Sequence, residues 1–222
     1  MGSISRAIAV FCGLLVLAGS AMADTITFKL TGAGPENLGG AYVAPYTGAL
    51  SVNGGAYGSS FTVICDDYNH DVSVGQSWNV NISNMGGDLS NTRFGASGLT
   101  GYLEAAYLIE QMNFSPGSSN ADLQYAIWSL FDPNVDINSL GSTHVQAIDA
   151  DLLAASQNYG SVNASLFSII TPVGQGGIAN ETGTSNGSAQ EYITMRSSVP
   201  EPSAFLLLGT GALGIVIRKF KR

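Results

Sequence analysis

Apolar residues recur along the chain with two different periods, and the change of period divides it. Ile26, Phe28 and Leu30 alternate with Thr27 and Lys29, the two-residue repeat of a half-buried strand. Trp78, Val80 and Ile82 alternate with Asn79 and Asn81 in the same way. Residues 42–52 and 60–65 complete a β-rich first third, with Asn53-Gly54-Gly55 between them as a strong hairpin signal. The repeat then lengthens. Over 102–113 the spacing predicts a helix with Leu103, Ala106, Tyr107 and Glu110 on one stripe and Leu108 and Met112 beside it. Asn120 is placed to cap a second helix over 121–131, which Pro133 ends. Thr143-His144-Val145-Gln146 has the form of a capping box for a third, in which Val145, Ile148, Leu152 and Ala155 keep helical spacing. Residues 162–170 and 190–195 read as strands again, and 174–188 as a Gly, Ser, Thr and Asn loop. The expected fold is α+β, a β-sandwich or barrel-like framework with a three-helix insert. No internal repeat of solenoid or propeller period is present.

The two ends obey other rules. Arg6 precedes an apolar stretch over 7–18, and Ala21-Met22-Ala23 offers a small-x-small cleavage site before Asp24, so residues 1–23 read as a secretory signal peptide. At the far end Val199-Pro200-Glu201-Pro202 precedes an uncharged run over 204–217. Ala204, Phe205, Leu206, Leu207, Leu208, Leu213, Ile215, Val216 and Ile217 make it apolar, and Arg218, Lys219, Lys221 and Arg222 follow. At ~1.5 Å rise per residue such a helix covers about 20 Å of a ~30 Å hydrocarbon core. The cations compensate by snorkelling to headgroups and by resisting translocation.

Residues 197–222 resemble a PEP-CTERM sorting segment in their order of Pro-Glu-Pro, short apolar helix and basic end. The resemblance implies a membrane held through the C-terminal helix, a processing partner of the exosortase transpeptidase type, and delivery to the cell surface or extracellular matrix. The domain to be delivered is then 24–196, about 175 residues and large enough for one core.

Fifteen of the sixteen carboxylates of the chain lie in that body, all but Glu201, against only Lys29, Arg93 and Arg196. Nucleic acid is a poor partner for such a surface. With the signal peptide and its Cys12 removed, Cys65 is the sole thiol, so no intramolecular disulfide can form. An odd cysteine in an exported chain is a reactive thiol, half of an intermolecular bridge, or a buried inert side chain.

Three stretches bear on that choice: Ile64-Cys65-Asp66-Asp67, Gln124-Tyr125-Ala126-Ile127-Trp128 and Gln190-Glu191-Tyr192-Ile193. In this order they resemble the three signatures of the Cys-Gln thioester domains of bacterial surface adhesins, although Leu123 stands where Thr is usual. The resemblance implies that the Cys65 sulfur attacks the Gln190 side-chain carbonyl, ammonia leaves, and the thioester is later opened by an amine or hydroxyl of another molecule. Gln124 and Trp128 share a helical face and read as supporting the site, with Asp67 and His70 near the cysteine as candidates to orient a base or donate to the amide. Such a protein is a single-use covalent adhesin, not a turnover enzyme. No residue is assigned as catalytic in the turnover sense.

Other readings stay open at this point. Cys65 could be an inert core residue of a passive matrix protein, or the chain a secreted hydrolase or carbohydrate-binding module. Asp132-Pro133-Asn134-Val135-Asp136 spaces oxygens as a calcium loop begins but lacks the glycine and closing Glu, so it reads as a turn. No zinc pattern or phosphate-binding glycine loop is present, and neither metal nor cofactor is expected.

Overall fold

A computed structural model describes residues 24–115, 119–173 and 189–195. Six strands close into an antiparallel barrel: β1 (Ile26–Gly32), β4 (Tyr46–Val52), β5 (Phe61–Cys65), β6 (Ser77–Asn84), β7 (Phe167–Pro172) and β8 (Tyr192–Met195), in the order β1-β4-β5-β8-β7-β6. A short pair, β2 (Asn37–Leu38) and β3 (Ala41–Tyr42), stands apart. Closure removes the exposed edges that an open sheet would present. Of the two expected frameworks, the barrel is the one observed.

The strand alternation points one face inward. Phe28 packs on Trp78 at 5.2 Å and on Tyr192 at 5.3 Å between ring centroids, and Phe61 approaches the same ring at 6.4 Å. Gly48 makes room for this cluster, since a Cβ there would lie 2.1 Å from the Phe28 ring. The hairpin signal is also realised: Asn53 and Gly54 take φ of 52° and 71°, the paired positive values of a tight turn whose twist suits the flanking strands.

Between β6 and β7 run three helices, α1 (Leu99–Gln111), α2 (Ala121–Phe131) and α3 (Ser142–Asn158), packed on one another, with α2 against β5. The buried residues of α1 are Tyr102, Ala105, Ala106, Leu108 and Ile109; of the predicted stripe only Ala106 is among them, and Glu110 is exposed. Neither predicted cap is used. Asn120 turns its side chain to the backbone of Asn113, joining the ends of the α1–α2 connection, and Gly141 rather than a capping box begins α3. Polar side chains that can cap are equally able to bridge a loop.

Two strands are shorter than their apolar runs predict. A cis Ala44-Pro45 bond interrupts 42–52, and a 3-10 turn at Ala164–Leu166 delays β7. Among the described residues no helix is long and apolar enough to cross a membrane. The signal peptide, the 174–188 loop, the sorting motif, the apolar run over 204–217 and the basic tail lie outside the described residues.

Candidate functional site

The site forms where β5 ends beside β8. Register pairs Cys65 with Tyr192 across these strands, so both side chains share the interior face. Cys65 is fully buried, and its thiol donates to the backbone oxygen of Asp67 at 3.2 Å. Gln190 donates to the same oxygen through Nε2 at 3.3 Å. The thiol proton and the side-chain amide nitrogen thus converge on one acceptor, although 125 positions of sequence separate their residues. On the other side of the amide, the Tyr192 hydroxyl donates to Gln190 Oε1 at 2.8 Å.

Helix α2 braces the cysteine from outside the strand. Gln124, fully buried, donates through Nε2 to the carbonyl oxygen of Cys65 at 2.6 Å. One turn further, the buried Trp128 indole N–H points to the Cys65 sulfur and favours the thiolate, the smallest of the influences on that thiol. Burial nevertheless dominates and pushes the thiol up from its ordinary pKa, aided by the negative charges of Asp67 and Asp66. A thiol so placed is not a standing thiolate.

Acidic residues surround this centre and are held in order by one cation. Arg93 Nε pairs with Asp67 Oδ2 at 2.8 Å, while its Nη2 donates to Ala189 O at 2.6 Å and its backbone N–H to Glu191 Oε2 at 2.8 Å. Glu191 also accepts from Tyr102 at 2.6 Å and from Thr171. Both neighbours of Gln190 are therefore clamped, which fixes the backbone that presents its amide. His70 Nδ1 meets both carboxylate oxygens of Asp67, at 2.8 and 2.9 Å. Asp66 is fully buried, with its carboxyl against that of Glu191. Burial, then the charges of Glu191 and Asp67, raise its pKa well above the ordinary range. Burial raises that of Glu191 too, against the donors from Thr171, Tyr102 and Arg93.

An open cavity of about 620 Å³ reaches the site from solvent. Gln190, Trp128, Tyr46, Tyr68 and Asp71 line it, whereas Cys65 lies behind them. The cavity thus meets Gln190 on its outer side, with Cys65 buried further in.

Comparisons with known proteins bear first on the other end of the chain. Residues 198–222 match the PEP-CTERM protein-sorting motif. The Pro-Glu-Pro, apolar and basic order thus marks a PEP-CTERM sorting segment, which lies outside the described residues. No curated protein matches the chain. Among solved structures, the N-terminal domain of the Streptococcus pyogenes pilus tip adhesin Cpa is similar over 80% of this chain and 96% of that one, with 12% identity and a TM-score of 0.41. That likeness is too remote to bear on the chemistry of the site.

All the body residues singled out in the sequence gather at one place. Cys65, Gln190, Gln124, Trp128 and Asp67 touch directly or through one shared atom, and His70 joins through the Asp67 carboxylate. The second histidine, His144, pairs instead with Asp122 at 2.6 Å, on the helices. Asp132 Oδ1 accepts from Asn134 and Asp136 Oδ1 from Ser139, both in local turns. Among the described residues no group of His, Cys, Asp and Glu is arranged to hold a metal.

Two residues were missed. Tyr192 had a signal, since a position two beyond Gln190 on an extended segment shares its face. Arg93 had a weaker one: an isolated cation in so acidic a body is well placed to neutralise buried carboxylates.

Proposed function

We propose that this is an exported surface or matrix protein, sorted through its PEP-CTERM segment by an exosortase-type transpeptidase, whose body forms an internal Cys65–Gln190 thioester for covalent adhesion. One observation carries the thioester: the Cys65 thiol and the Gln190 amide nitrogen donate to the same Asp67 oxygen. That arrangement puts the proton to be lost by sulfur next to the nitrogen that must leave as ammonia. Sulfur bonds to the amide carbon, the proton passes to nitrogen, the C–N bond breaks and ammonia departs. The bond waits behind the cavity until a primary amine or hydroxyl of another molecule reaches the carbon, takes the acyl group and returns the thiol. Each molecule acts once and is not a turnover enzyme. The N-terminal signal peptide and a membrane-held C-terminal helix before processing belong to the same reading. They follow from the sequence order at both ends and from the sorting-motif match.

Intact mass of the purified chain tests it. The wild type is expected one ammonia lighter than its sequence, and Cys65→Ala at its sequence mass. Equal agreement of both with sequence would sink the covalent reading.

One observation favours a rival. Complete burial and a raised pKa are also what an inert core thiol shows. A passive matrix protein of that kind takes up no methylamine, whereas the thioester form gains one methylamine at Gln190.

A further inference from the structure

The geometry points to Tyr192 as the group that activates the Gln190 carbonyl, donating its hydroxyl hydrogen to the oxygen that turns negative when sulfur, and later the acceptor, adds to the amide or thioester carbon. The inference rests on the thioester reading and adds to it a residue that touches a reacting atom. Its basis is the 2.8 Å bond from the Tyr192 hydroxyl to Gln190 Oε1.

Three features make this bond more than a chance surface contact. Tyr192 is fully buried, so water does not compete for its hydroxyl. Its ring is wedged among Phe28 at 5.3 Å, Tyr46 at 6.0 Å and Trp78 at 6.4 Å, which holds the donor aimed before reaction begins. Cross-strand register also sets it opposite Cys65, so the same β5–β8 pairing that delivers the nucleophile delivers the donor. Burial, with the charges of Cys65, Tyr46 and the nearby aspartates, pushes the Tyr192 phenol well above its ordinary pKa. The phenol therefore keeps its proton and acts as a donor, not a base.

In the step itself, the carbonyl π electrons move onto Oε1 as the Sγ–Cδ bond forms. Tyr192 strengthens its hydrogen bond to that oxygen without giving up its proton. The thiol proton goes to Nε2, the oxygen electrons re-form C=O, and ammonia leaves. Opening by an amine repeats the sequence with sulfur as leaving group and the thiol regained. A donor preset at the position of developing charge helps both steps, because it costs little reorganisation in the transition state.

The test uses the full-length chain in detergent, with methylamine as acceptor. Wild type and Tyr192→Phe are compared by intact mass for the fraction lacking ammonia and for the rate of methylamine capture. Thermal melting reports whether the fold is kept. Tyr192→Phe is expected to melt near wild type and to capture methylamine on the order of 10²-fold more slowly, the usual cost of one such donor. Replacement of Tyr192 by 3-fluorotyrosine, a more acidic donor of nearly the same size, is expected to speed capture, and it decides the matter where Tyr192→Phe fails to fold. A folded Tyr192→Phe chain that reacts at the wild-type rate, or a fluorinated chain with an unchanged rate, overturns the role of Tyr192 and leaves the thioester standing. A wild type that never loses ammonia overturns both.

Discussion

Gln124 and Cys65 are joined by a 2.6 Å hydrogen bond from a buried side-chain amide to a buried backbone carbonyl. The bond ties helix α2 to the last residue of strand β5, so it positions the cysteine without touching its sulfur. Gln124 is thus a support and Gln190 the acyl donor in the proposed reaction. Gln190→Ala is expected to abolish the ammonia loss seen by intact mass. Gln124→Leu leaves the Cys65 carbonyl without a partner and is expected to cost about 1–3 kcal/mol. Chemical denaturation in a Cys65→Ala background measures that cost free of any cross-link. Loss of the mass change in Gln124→Leu with retention in Gln190→Ala would reverse the two roles.

A thioester between residues 65 and 190 would also close a long loop. Like a disulfide of similar span, it restricts the unfolded chain more than the folded one, by about 5 kcal/mol for a loop on the order of 100 residues. Opening with methylamine is therefore expected to lower the melting temperature, and Cys65→Ala to melt near the opened form. Identical melting of treated and untreated chains would show that no such constraint existed.

Arg93 pairs with Asp67 and, through its backbone, with Glu191, both buried acids. Removing the cation leaves negative charge stranded in the interior, a loss of about 3–5 kcal/mol for a broken buried pair. Arg93→Met is expected to destabilise by that order in urea unfolding. Arg93→Lys should recover only part, since one ammonium cannot serve Asp67 and Ala189 in the two directions that the guanidinium does. A change within about 0.5 kcal/mol, typical of a surface site, would rule out the clamp.

The local elements were legible because their signals are local. Asn53-Gly54 wrote its own turn, and α2 follows the apolar spacing of Ile127 and Trp128 up to Pro133. The ordered Cys65, Gln124 and Gln190 trio was legible as a resemblance, and the residues do meet. What periodicity does not carry is the partner of each strand. That β8 inserts between β5 and β7 is a long-range choice, and only that choice sets Tyr192 opposite Cys65. Arg93 escaped for the same reason, since its partners lie 26 and 98 positions away in sequence. Asn120 failed as a cap because a side chain able to cap a helix is equally able to serve another backbone group, and Thr143 failed because α3 begins one residue before it, at Ser142.

Asp66 gives the site a pH dependence whose sign can be worked out. Its carboxyl is buried against that of Glu191, and burial together with Glu191 and Asp67 raises its folded-state pKa. The folded chain then holds a proton that the unfolded chain has already released above the ordinary carboxylate range. Where the folded state binds more protons, stability falls as pH rises. The stabilising contribution is full below the unfolded pKa and is lost progressively up to the raised folded one. Glu191, raised in the same direction by burial, adds to the trend. Melting temperature is therefore expected to decline as pH rises through and beyond the range where ordinary carboxylates ionise. Asp66→Asn carries no proton to lose, so its decline should be shallower and the variant should gain on wild type at alkaline pH. Parallel profiles for the two chains would mean that Asp66 is ionised in the folded protein and that another group accounts for any slope.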